Sequence, residues 1–213
     1  MPSPIIIAHH LIWTAYGYWL PNDPRGSMSK TIASEVIAEL GELHYGRKKV
    51  QPSAREIQAF HNQSRSMLKH ALLDFQSNDF PVIAEALSET ICENNYTCYA
   101  CAIMPDHVHI LIRKHKHQAE DMLDNFQQTS RLRLRNVGLR SADHPVWGGP
   151  GWKVFLDTPT DIRRTIQYID GNPPKWRLPR QQWAFVKVYD GWPLHPGHSP
   201  KSPYAKRLRH CPD

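Results

Sequence analysis

The sequence predicts an α+β fold: a β-α-β-β-α-β core followed by one more helix. Three observations carry this. Strand-like segments occur at 5–14, 96–104 and 107–112, the last with period-two alternation, and helical periodicity separates or follows them. Pro105-Asp106 joins two of the strand segments in a connection too short for anything but an antiparallel pair. The last helical segment is marked at both ends, by Thr158-Pro159 and by Gly171 and Pro173.

At 213 residues the chain suits one domain with an appendage. No stretch is long and apolar enough for a membrane span, and the start lacks a basic region before its short apolar run. A cytoplasmic protein is expected. The four cysteines include Cys98 and Cys101, but no second pair follows at zinc-ribbon spacing. Three apart in a strand, these two are expected on opposite faces as free buried thiols. The net charge of +6 is uneven. Residues 1–112 hold 8 Lys/Arg against 11 Asp/Glu, whereas residues 113–213 hold 18 against 9. A basic half suits a polyanion, nucleic acid above all, although a solvated basic surface has the same composition.

Ile5 to Thr14 forms the first strand, apolar on both faces apart from His9 and His10, and so belongs centrally in a sheet. The loop after it carries Tyr16, Tyr18, Trp19 and Arg25, a set able to stack nucleic-acid bases or to cap the core. Residues 31–75 read as a helical insertion, with helices near 33–45 and 53–75. A helix over 82–93 precedes the strand 96–104. A helix from His117 to about Arg135 has Met122, Phe126 and Leu132 as inward residues, and a Gly- and Trp-rich loop runs from Pro145 to Trp152 before a short strand 153–156.

Two stretches carry chemistry. In Met104-Pro105-Asp106-His107-Val108-His109-Ile110-Leu111-Ile112, alternation places His107, His109 and Leu111 on one face and Val108, Ile110 and Ile112 on the other. The imidazoles lie about 7 Å apart at Cα. Such a pair suits one divalent metal, although partly buried histidines with no ligand give the same pattern. In the capped helix, Ile162, Ile166 and Ile169 define the buried stripe, while Tyr168 lies about 240° round from Ile162. It shares an i, i+4, i+8 column with Arg164 and Asn172.

The order strand, insertion, helix, strand, strand, helix, strand, helix is the ferredoxin-like pattern once the insertion and last helix are set aside, with an antiparallel sheet and helices on one face. Met-Pro-Asp-His-Val-His on its third strand, Tyr-Ile-x-x-Asn-Pro on its last helix and the His-Leu-Ile-Trp-Thr-Ala-Tyr-Gly-Tyr-Trp-Leu-Pro opening resemble the single-tyrosine HUH (IS200-like) transposases, and most closely the REP-associated tyrosine transposase branch. The resemblance covers roughly 5–20 and 82–173. It implies catalysis by His107, His109 and Tyr168, with Tyr168 the nucleophile, and Mg²⁺ or Mn²⁺ held by His107, His109 and Asn172. It also implies cleavage and strand transfer of single-stranded or hairpin DNA through a 5′-phosphotyrosine link, by a monomer or homodimer. Arg25, Arg131, Arg135, Arg163, Arg164, Lys175 and Arg177 are candidate DNA contacts from charge alone. Residues 1–173 form the catalytic domain on this reading, with 174–213 a Pro-rich basic tail. A His-pair phosphoesterase without a covalent intermediate, and a non-catalytic DNA-hairpin-binding protein, are the competing functions.

Overall fold

The computed structural model describes residues 5–193 and Lys201. Strand β1 (Ala8–Ala15) leads through the short α1 (Glu35–Ala38), α2 (Ala54–Arg65) and α3 (Asp79–Asn94) to the pair β2 (Cys98–Ile103) and β3 (His107–Arg113). Then follow α4 (Ala119–Asn136), β4 (Trp147–Leu156), α5 (Pro159–Asp170) and α6 (Asn172–Lys175). The strands make one sheet in the order β2-β3-β1-β4, every neighbouring pair antiparallel. Leaving out the insertion and the last helices, this is the expected β-α-β-β-α-β core.

Side-chain alternation divides the interior into two layers. Leu11 and Trp13 of β1 and Val108, Ile110 and Ile112 of β3 face one way, against Ile83, Leu87 and Ile91 of α3 and Met122, Leu123 and Phe126 of α4. Trp13 is fully buried, stacked on Phe126 at 5.9 Å between centroids and edge-on to Trp147 at 5.8 Å. Ala8 and Leu111 face the other way with Tyr99, Ala100 and Ala102, against Ile162 and Ile169 of α5. Both faces are therefore covered, α3 and α4 on one and the tyrosine-bearing α5 on the other. No described helix is long and apolar enough to cross a membrane.

Several local expectations are corrected. The insertion is far less helical than its periodicity suggests: α1 spans only Glu35–Ala38, and α2 stops at Arg65 rather than continuing to 75. Beyond Arg65 the backbone is used elsewhere. Leu73 N–H donates to Tyr16 O and Phe75 N–H to Pro105 O, so Leu73 and Phe75 enter the core from an extended segment. The start of α2 is set by a capping box between Ser53 and Glu56. The Gly- and Trp-rich stretch 147–152 is strand, not loop. Ile12 pairs with Trp152 and Thr14 with Gly148, so three residues of β4 bulge opposite Trp13. Gly151 makes this feasible: its φ is +68°, and a Cβ there would lie 2.7 Å from Ile12 O. Leu132 is 46% exposed; Leu123 and Leu134 pack inward in its place. Cys98 and Cys101 share one face rather than two, because a register shift between Cys98 and Ala100 reverses the alternation. Both are free and buried, and burial raises both thiol pKa values.

The segment after α6 covers the open edge of the sheet. Gln181 Oε1 accepts from Ile103 N–H at 2.8 Å and its Nε2 donates to Ile103 O at 2.7 Å, while Lys187 N–H donates to Cys98 O at 2.8 Å. Trp183, Phe185 and Val186 pack beside them on the α3/α4 layer. The edge strand β2 is thereby paired and protected. The basic stretch expected at 201–209 lies, apart from Lys201, outside the described residues.

Truncating Phe126 to Ala should cost about 3–5 kcal/mol, because the cavity would open between Trp13 and the α3 side chains. Urea unfolding of the variant checks this; a loss under about 1 kcal/mol would mean that Phe126 does not anchor α4 to the sheet.

Candidate active site

The α5 face of the sheet carries three histidines. On β3, His107 and His109 project two residues apart, toward α5 and α6. On β1, His10 stands opposite Leu111 in the register, which places it on the same face beside His109. His109 and His10 are buried and His107 is half-buried. The Nε2 atoms of His107 and His109 are 2.9 Å apart. His107 Nδ1 donates to Asp106 Oδ1 at 2.5 Å, and His109 Nδ1 lies 2.9 Å from His10 Nε2. Asp106, His107, His109 and His10 thus form one continuous hydrogen-bonded row.

Burial disfavours charge on His10 and His109. It pushes His10 down to about 4, and holds His109 well below the ordinary imidazole range with further lowering from neighbouring His107 and His10. His9, one residue away, points into the other layer, edge-on to Phe155. Burial, reinforced by Lys114 and opposed by Glu120, lowers it also to about 4.

Helix α5 brings Tyr168 to the row. Thr158 caps the helix by accepting from Asp161 N–H, and Pro159 occupies the first turn. Ile162 and Ile169 are fully buried and set the helix's rotation. Tyr168 is left 49% exposed, its ring 5.5 Å from that of His109 and 6.1 Å from that of His10. Lys175 Nζ lies 5.2 Å from the Tyr168 ring centroid, and Trp176 meets His107 at 6.4 Å. Asn172 sits in the chain between Tyr168 and Trp176. It is only 8% exposed, and its Nδ2 is buried without a hydrogen-bond partner.

Two imidazoles and one amide are groups able to donate to a divalent cation. Among the described residues no group of three or more His, Cys, Asp or Glu is disposed to hold a metal. A cation here would rest on the two Nε2 atoms and the unpartnered amide of Asn172, which offers its oxygen when turned over.

The basic residues singled out from charge are not all brought here. Lys175 reaches Tyr168, and Arg163, Arg164 and Arg177 are exposed on α5 or just past α6. Arg131 and Arg135 are on α4, across the sheet from the histidines, and Arg135 donates to His144 O at 3.4 Å. Arg25 is held by Asp23 at 2.7 Å and lies over the Trp19 ring at 4.0 Å. Sequence reasoning passed over His10, Asp106 and Trp176 as members of the site. For His10 a signal was available: in an antiparallel neighbour of the His-x-His strand, one of the two residues His9 and His10 must share its face.

A family model described as "Transposase IS200 like" matches residues 62–170. The match includes His107, His109 and Tyr168 and leaves out β1 and Asn172. Among solved structures, a REP-associated tyrosine transposase bound to a REP hairpin aligns at 11% identity and a TM-score of 0.45, over 87% of this chain and 79% of that one. A protein described as a candidate transposase from Deinococcus radiodurans R1 aligns at 14% identity and a TM-score of 0.38, over 79% and 92%. No curated protein matches.

Because His9 and His10 are neutral when folded and take up protons when unfolded, their contribution to stability is complete above about pH 6.5 and falls as pH drops toward about 4. The imidazole C–H resonances of both should stay in their neutral positions down to about pH 5. Midpoints near 6.5 by NMR titration would contradict the burial described.

Proposed function

Because the chain belongs to the IS200-like transposase family, matched over residues 62–170, we propose that it cuts single-stranded DNA with Tyr168 and rejoins it through a covalent intermediate. The observation that carries this is the position of the Tyr168 ring, half exposed and 5.5 Å from His109 of the His pair. A core tyrosine would share the Ile162/Ile169 stripe; this one is offered to a ligand lying over the histidines.

In the proposed step the Tyr168 phenolic oxygen attacks the scissile phosphorus in line. The Oη–P bond forms, the P–O3′ bond breaks, the phenol proton is lost and the departing 3′ oxygen takes one up. The 5′ phosphate remains on Tyr168. Attack by a 3′-OH on this link reverses the step without an energy source, which suits strand transfer. Mg²⁺ or Mn²⁺, held by His107, His109 and Asn172, would supply polarisation of the phosphate and charge neutralisation. Asp106 orients His107 through Nδ1, and α5 fixes Tyr168 against the His face.

The proposed substrate is single-stranded DNA beside a short hairpin, as for the REP-associated branch that the motifs resemble. Lys175, beside Tyr168, is placed to meet a phosphate, and Trp176, 52% exposed, to stack a base. Arg164 and Arg177 are further exposed cations proposed to meet the DNA, whereas Arg163 lies over the Tyr189 ring at 5.5 Å.

The test mixes the protein, or its Tyr168→Phe variant, with hairpin oligonucleotides from DNA flanking its gene, with Mn²⁺ or EDTA, on denaturing gels. The expected result is a 5′-linked adduct that needs the metal and falls by at least about 1000-fold in the variant. Cleavage by the variant at the original rate would indicate hydrolysis by water. Binding without cleavage across a wide panel would indicate a DNA-binding protein without catalysis. Lys175→Ala should weaken binding of different sequences alike and reduce the salt slope of log K by about 1; an unchanged slope would remove Lys175 from the phosphate contacts.

A further inference from the structure

We propose that His10 is a positioning residue for His109: its Nε2 accepts the His109 Nδ1–H and so keeps His109 Nε2 bare toward a cation. This rests on the metal-site reading above.

The argument follows the row of hydrogen bonds. A carboxylate only accepts, so Asp106 at 2.5 Å fixes the His107 proton on Nδ1 and leaves His107 Nε2 bare. His109 Nε2 is 2.9 Å from that bare nitrogen. Without a cation, His109 satisfies the contact by carrying its proton on Nε2 and donating. Its Nδ1 is then an acceptor, and His10 donates to it at 2.9 Å. With a cation at the pair, the His109 proton must sit on Nδ1. His109 is only 4% exposed, and its Nδ1–H then needs a buried acceptor. His10 Nε2 is the atom in place, and His10 takes this role by moving its own proton to Nδ1.

An imidazole is suited to both roles. A carboxylate could only accept, and a phenyl ring could do neither. The rings are tilted 31° apart with centroids at 5.1 Å. His9 cannot substitute, since β1 turns it into the Phe155 layer. Outer partners of this kind orient metal-ligating histidines and select their tautomer. Here β1 supplies one such partner, His10, and the β2–β3 turn supplies the other, Asp106.

The experiment measures Mn²⁺ binding without DNA, by EPR of the free ion, on wild type, His10→Phe and His10→Gln. His10→Phe should bind about 10–100-fold more weakly. His10→Gln, whose amide can present either an oxygen or N–H, should recover most of the affinity. In parallel, ¹⁵N–¹H correlation spectra of wild-type imidazoles should show His10 moving from the Nε2–H to the Nδ1–H tautomer on saturation with Mg²⁺, a change that a merely structural role would not produce. Wild-type affinity in a folded His10→Phe variant would overturn the proposal, as would His10 remaining Nε2–H with Mg²⁺ bound. Should His10→Phe fail to fold, the wild-type tautomer decides. A wild-type protein that binds neither ion would overturn the metal-site reading itself and this inference with it; wild-type binding with equal affinity in His10→Phe overturns this inference alone.

Discussion

The pairing of β1 with β3 is the constraint on which the rest of the molecule depends. Its register sets Ile12 opposite His109 and Thr14 opposite His107, and turns Leu11, Trp13, Val108, Ile110 and Ile112 into a single aliphatic and aromatic layer. A slip of one residue in β3 would exchange the faces, moving imidazoles into the α3/α4 core and aliphatics out of it. Each large apolar side chain so displaced forfeits about 1.5–3 kcal/mol. Three such residues on β3 alone make the alternative register untenable. The histidines therefore hold their positions through the packing of residues on the opposite face.

The site is built by bringing a helix across that polar face rather than by opening a cavity. Ile162 and Ile169 are the feet of α5, and the Thr158 cap sets where it starts. With its rotation thus set, Tyr168 faces outward beside His109, and the α6 turn brings Lys175 to Tyr168 and Trp176 to His107. A shallow, half-exposed arrangement suits a polymer laid along the surface. His10 and His109 beneath are kept neutral by desolvation.

The insertion and the described residues that follow α6 pack on the same core. Leu73 and Phe75 tie the insertion to the loop after β1 and to the β2–β3 turn, and Phe75 meets Trp147 at 5.0 Å. Gln181 and Lys187 occupy hydrogen-bonding positions of β2 that an edge strand would otherwise expose. Both segments converge on the β2–β3 pair that carries the histidines.

Local signals were legible in the sequence where the local energy term is also the deciding one. The alternation around His107 and His109, the two-residue turn at Pro105-Asp106, and the Thr158-Pro159 start of α5 all depend on neighbours a few residues apart. The Tyr168–Asn172 column assumed one unbroken helix, whereas α5 ends at Asp170 and Asn172 opens α6. The tertiary structure alone decided what depends on partners distant in the chain. Leu73 and Phe75 left a helical pattern because Tyr16 and Pro105 offered their carbonyls. The Gly-rich stretch 147–152 became strand because β1 supplied a partner and Gly151 could pass within reach of Ile12 O. Cys98 and Cys101 came to one face because β2 bulges against β3. His10 was one of two adjacent histidines until strand pairing placed it against His109. Register is a long-range property: it sums the packing of a whole layer, and no single window of sequence contains that sum.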